Sequence, residues 1–275
     1  MPPVELGAVI FGASALVLGV RPFLEARLVL RAGSFEQPRR QFCLDLGLGL
    51  LAGLLVLAYF SLLLRFPLFS GVKVVIGLGA VGFFLAMDSA LSRQRLIILT
   101  ACRKGWTTPP ETINPMARKF ALVALGSSLL VAMLLGLIMA NAVDWVAGRA
   151  MSPGDLAFAR RSVTLEIVYV TAVLMAGVGV LVLRYSGNLR LLLQEQTQVL
   201  ESVSQGQLDR FIPVATADEF GLIAARTNAM IQALRHRTQL MNALDQAQAV
   251  QRSLLPGSIP MRAGLDIAAT AGYSG

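Results

Sequence analysis

The sequence predicts an all-α protein: a multi-span transmembrane helical bundle, then a cytoplasmic parallel coiled coil, then the first strand of an α/β domain. Three observations point there. Hydrophobic residues make up 55% of the 275 and charged residues only 15%, with a mean hydropathy of +0.66, more apolar than a soluble domain of this length. The apolar residues come in runs of roughly 17–24, matching the 20 or so that cross a bilayer core. Beyond residue 183 the pattern changes to the three-, four- and seven-residue spacings of a helix packed lengthwise on another.

Five spans are expected, at residues 4–20, 42–64, 71–87, 120–143 and 163–183. No basic residue precedes the first apolar core, which sets it apart from a secretory leader. The loop over 21–41 carries Arg21, Arg27, Arg31, Arg39 and Arg40 against Glu25 and Glu36. The loop over 92–119 carries Arg93, Arg95, Arg103, Lys104, Arg118 and Lys119 against Glu111. Both belong on the cytosolic side by the positive-inside bias. The chain is therefore expected to be a multi-pass protein of the inner, cytoplasmic membrane, its amino terminus outside and its carboxyl terminus in the cytosol. The segment LIILTAC (96–102) is too short to cross alone. The net charge of +8 sits mainly in these loops, where it meets anionic head groups. No nucleic-acid module or interleaved aromatic patch accompanies it, so the expected partner is the lipid bilayer and not nucleic acid. Cys43 and Cys102 lack metal-ligand spacing and read as small buried hydrophobes.

The outer segments are short. The longest, 144–161, cannot bury a folded sensor core, so a stimulus is expected within the membrane bundle, at a shallow outer site or through a partner. Lys73 and Glu166 lie at similar depth near the outer ends of two spans, with opposite sign. Snorkelling or a structural pair accounts for them; the functional alternative is intramembrane coupling through Glu166. Asp45 and Asp88, near inner ends, are expected at the interface, and Trp145 beside Asp144 fits an aromatic anchor.

The fifth span runs on into a cytosolic helix with the stripe Leu189, Leu193, Leu200 and Val203, Gln196 filling one seam position. Gly206 is placed to end it as a left-handed cap. In the connector, Leu208, Ile212 and Val214 can turn inward while Pro213 keeps the chain extended. Asp218 is the expected N-cap of the next helix, and Glu219 suits its positive end. Phe220, Ile223, Met230 and Leu234 make that helix's stripe, with Thr227 as its polar member. Two such helices cannot bury their stripes alone, whereas two copies in a parallel four-helix bundle can. A homodimer is expected.

With Gly206, Leu208, Pro213, Val214, Asp218, Glu219, Gly221, Asn228, Met230 and Leu234 in order, residues 184–237 resemble the HAMP domain of bacterial receptors, kinases, cyclases and phosphatases. Its signature positions here are Gly206, Pro213, Asp218, Glu219, Gly221, Asn228 and Met230. The resemblance implies a parallel dimer that switches between two packings of similar energy, a relay for signal transduction. Leu192 stands where that family often has a proline.

Leu240, Leu244, Ala247, Val250 and Leu254 continue the helix as a signalling stalk over 238–256, and Pro256, Gly257, Pro260 and Gly264 stop it. LDIAA (265–269) reads as a strand. His236, the one histidine, lacks the carboxylate and proline that follow a phosphoacceptor. Through Gln251, Ser253, Leu254, Leu255, Pro256, Ile259, Pro260, Gly264, Leu265, Ile267 and Ala268, the tail resembles the entry to the catalytic domain of SpoIIE-like metal-dependent serine/threonine phosphatases. Residues 1–183 would then be the transmembrane sensor region and 257–275 the start of a phosphatase-like domain. That resemblance implies a phosphoprotein substrate and manganese or magnesium held by aspartates. Those aspartates are missing, no other catalytic, cofactor or metal constellation is present, and the chain itself is expected to be inactive. Two other outputs fit the same relay: a non-enzymatic membrane HAMP adaptor, and a HAMP-linked nucleotide cyclase. The cyclases tend to continue their helix past a Leu-Leu-Pro, which Pro260 and Gly264 oppose.

Overall fold

The computed structural model describes residues 3–62, 68–110, 112–147 and 153–254, and these are entirely helix, turn and irregular backbone. The elements are α1 (Pro3–Leu24), a π-helical turn (Glu25–Val29), α2 (Gln37–Leu62), α3 (Leu68–Lys104), α4 (Met116–Ala147), α5 (Pro153–Ser204) and α6 (Glu219–Leu254). The first five α-helices are each long and apolar enough to cross a membrane. Their large side chains face outward: Leu16, Leu54, Leu85, Leu125, Leu129 and Val182 are all exposed. A protein in water would hide such a surface, and a bilayer makes hiding it unnecessary.

The expected spans are present, but the helices overrun them, because the flanking Arg, Gln, Ala and Leu are themselves good helix formers. α1 continues through Pro22 and gives way to the π-turn, closed by the Leu30 amide donating to the Glu25 carbonyl at 3.1 Å. α4 and α5 occupy most of the expected outer loop over 144–161, and Pro153 opens α5 where a first-turn proline costs no hydrogen bond. α3 runs on from its span to Lys104, and LIILTAC forms its last turns instead of a separate segment. Gly105, at φ +61°, ends it in the left-handed conformation that glycine favours. Cys43 is exposed and Cys102 half-buried, which corrects the expectation that both lie in the core. The expected strand at 265–269 and the helix stop at Pro256 lie outside the described residues.

α2 and α3 form the tightest pair. A Cβ on Gly49 would come within 3.1 Å of the Gly82 Cα, so the two backbones touch where both side chains are absent. Val17, Leu48 and Ala52 fasten α1 to α2. α4 lies at the periphery, resting on Phe83 at Gly126 and on Tyr185 through Phe120, ring centroids 4.6 Å apart. At about 1.5 Å per residue, the 52 residues of α5 reach some 78 Å, well over twice the thickness of a bilayer core. The excess carries the chain into the relay.

Candidate functional site

The relay folds back on α5 within one chain. The helix ends at Gly206, φ +83°, with the Gln207 amide donating to the Ser202 carbonyl at 2.9 Å, as expected of a left-handed cap. The connector then runs extended through Pro213 to α6. Val199, Ile212, Val214, Ala224 and Ile231 close a core around it, with Leu208, Phe211 and Val203 against its edge. Asn228 is buried and holds the connector by its backbone: the Ile212 amide donates to Asn228 Oδ1 at 2.7 Å, and Asn228 Nδ2 donates to the Ile212 carbonyl at 2.8 Å. Gly221 sits where a Cβ would lie 1.8 Å from the Thr216 carbonyl oxygen. The sequence stripes point elsewhere. Leu193, Leu200, Ile223, Met230 and Leu234 are exposed, whereas Val203 and the connector's Leu208, Ile212 and Val214 turn inward, and Val199, Ala224 and Ile231, which the stripes had left out, complete the intrachain core.

Six contacts clamp this relay to the membrane bundle. The carboxyl-terminal extension of α3 places Ile98 and Ala101 against Leu192 and Ala215, with Trp106 and Cys102 alongside. The Val214 amide donates to the Trp106 carbonyl at 2.7 Å, and the Asn114 amide to the Ala217 carbonyl at 2.9 Å. Phe35, in the segment after α1, packs on the relay core. At the foot of α4, Glu219 Oε2 accepts the Met116 amide at 2.8 Å, and Lys119 Nζ donates to Asp218 Oδ2 at 2.9 Å. Asp218 does stand at the head of α6, but its buried carboxylate serves Lys119 and the Thr216 hydroxyl. Glu219 caps α4, not its own helix. The carboxylates at the start of α6 thus bind the start of another helix, where unpaired amides favour negative charge.

A second polar cluster locks the relay-side ends of α1, α2 and α3. Asp45 takes two bonds from Arg21, at 2.7 and 3.0 Å, and one from Gln41 at 2.9 Å. Arg93 pairs with Glu25. Asp45 is therefore mostly buried within the protein and paired. Asp88 faces Arg184 at 3.3 Å, and Asn188 Nδ2 donates to the Leu91 carbonyl at 2.9 Å, so α3 and α5 are pinned in register. Gly177 lies against the Phe84 ring farther along the same pair of helices; the side chain of Lys73 lies outside the described residues. Glu166 itself is exposed on α5. Sequence reasoning missed Asn188, Arg21 and Arg93, since only their cross-helix partners distinguish them from ordinary interfacial polar residues.

A bundle of apolar helices whose relay-side ends grip a folded relay is the architecture of a multi-pass membrane protein. Residues 1–169 match MASE10, a family of membrane-associated sensor domains, and the chain belongs to it. A cyclic di-GMP phosphodiesterase of Vibrio cholerae serotype O1 is 25% identical over 249 residues, 89% of this chain and 50% of that protein. The chain thus spans about half the length of the curated relative it matches. No solved structure matches.

These findings correct the HAMP and SpoIIE-like resemblances. The family is MASE10 and the relative acts on a cyclic dinucleotide, so the chain is not assigned to a HAMP-bearing phosphatase. The physical reason lies in the motif. A left-handed glycine at 206, a close approach at 221 and an asparagine tethering the connector are what this helix–connector–helix geometry itself requires. The manganese or magnesium expectation rested on the phosphatase resemblance alone.

Proposed function

We propose that this chain senses a condition of the membrane and sets the activity of an output that turns over a cyclic dinucleotide, of the kind on which the Vibrio relative acts. The relay faces the cytosol, with the amino terminus outside, as the basic loops argue. The observation that carries the reading is the clamp at the foot of α4. A loosely packed outer helix is tied through Lys119–Asp218 and Met116–Glu219 to the connector and to α6, so a tilt of α4 is delivered to the relay. The test uses the gene's full-length product in a heterologous bacterium. Lys119→Ala with Glu219→Ala should shift cellular cyclic di-GMP about five-fold or more from the wild-type level, the lower end of usual coupling energies, at unchanged membrane abundance. Equal levels in wild type, variant and empty vector would sink the reading.

We also propose that two copies associate along the relay. Leu193 and Leu200 on α5, Ile223, Met230 and Leu234 on α6, and Leu240, Leu244 and Val250 on the stalk all lie exposed. A groove of about 440 Å³ runs beside Leu189, Leu193 and Thr197. A stripe of this length on cytosolic helices is what a parallel bundle would cover. Single cysteines at Leu200 and Leu244 should crosslink in membranes within minutes of oxidation, while one at exposed Arg210 should not; the absence of crosslinks at both stripe positions would exclude the parallel dimer.

A further inference from the structure

The inner end of α1 carries more positive charge than the fold uses. Over residues 21–45 the carboxylates are Glu25, Glu36 and Asp45, and each is engaged: Glu25 by Arg93 and Arg21, Glu36 by Arg40 at 2.8 Å, Asp45 by Arg21. Arg27 and Arg31 have no carboxylate partner among the described residues. Both are exposed, and with Phe23 and Ala26 they line a cleft of about 260 Å³ beside the π-turn. The turn fixes this arrangement. Its wider winding holds Glu25 toward Arg93 and buries Val29 completely, while Arg27 and Arg31 are left on the outer side with Phe23, itself 65% exposed. Apolar surface therefore gives way to two guanidinium groups at the end of a membrane span. That is the order of an acyl chain followed by a phosphate, and guanidinium forks match phosphate oxygens.

We propose that this cleft holds the headgroup phosphate of an anionic phospholipid, with Arg27 and Arg31 on the phosphate and Phe23 and Ala26 against the first carbons of an acyl chain. Each basic residue near an anionic surface contributes enough to change lipid retention about five-fold, so the two together are worth about thirty-fold. Arg39 lies outside the cleft and makes an internal control of equal charge.

The test uses the full chain in nanodiscs of phosphatidylcholine containing phosphatidylglycerol, which present the same lipid on both faces and so make the result independent of the chain's orientation. Native mass spectrometry after release should show phosphatidylglycerol retained by the wild type and by Arg39→Gln. Retention should fall about thirty-fold in Arg27→Gln/Arg31→Gln, and Phe23→Ala should weaken it with the charge intact. A fall of about five-fold in Arg39→Gln, the loss that one charge anywhere on the surface would bring, would reduce the effect to bulk charge and overturn the site. So would retention in the double variant equal to wild type, or displacement of the lipid by millimolar inorganic phosphate, which would make it a site for free anions. A changed cyclic di-GMP output in the full-length product is not required, so this proposal and the signalling reading can fail separately.

Discussion

Replacing Gly221 with alanine is expected to unseat α6 from the connector. The new Cβ would lie 1.8 Å from the Thr216 carbonyl oxygen and 2.9 Å from its carbon, and backbone must move to admit it. Little can. The Thr216 hydroxyl donates to buried Asp218 at 2.7 Å, the Ala217 carbonyl accepts from Asn114, and Val214 and Ala215 are buried on either side of the clamp. Overpacking of this severity costs about 3 kcal/mol. Amides over 208–231 should then exchange with solvent about a hundred-fold faster. Gly187 supplies the contrast. Nothing lies within 4 Å of a Cβ there, and alanine in mid-helix should be neutral or stabilising by roughly 0.5–1 kcal/mol. Wild-type exchange in Gly221→Ala would show that the close approach is not part of the folded relay.

The membrane half was readable because its signal is a composition, repeated over whole turns of helix. Long runs such as VTLEIVYVTAVLMAGVGVLVL identify a span wherever its neighbours lie. Helix ends were less readable: Arg93, Arg95 and Leu96 continue a helix as willingly as they form a loop, and only the burial of Ile98 and Ala101 against Leu192 shows why α3 goes on. In the relay, Gly206 and Asn228 were found by type and spacing, yet their likeness to a familiar module led to the wrong family. The stripe Leu193, Leu200, Ile223 and Met230 was seen, but its direction was not, since a helix with apolar residues on two faces does not say which face its own chain covers. The clamp was beyond reach of the sequence. Glu219 and Met116 are 103 residues apart, and an acidic residue at a helix start reads as its own helix's cap until the fold brings another helix to it.

Asn228 gives the second large effect. The connector is extended and carries Pro213, so its backbone finds few partners, and Asn228 supplies both for Ile212 from the facing helix. Asn228→Leu would fill similar space but leave an amide and a carbonyl unpaired within a core that includes Val199 and Ile231. At roughly 1–3 kcal/mol for each orphaned group, the loss should be about 3 kcal/mol, again visible as faster exchange over the connector. Asn228→Asp separates hydrogen bonding from packing. As a carboxylate it keeps the bond from the Ile212 amide but opposes the Ile212 carbonyl; protonated, it can donate to that carbonyl again. Burial raises such a carboxyl's pKa above the unfolded value of about 3.9, so the native state holds the proton more tightly. The variant should therefore be least destabilised in acid and lose ground as the pH rises through the folded pKa, whereas Asn228→Leu should lose the same amount throughout. Parallel pH profiles for the two variants would mean that Asn228 supports the connector by shape alone.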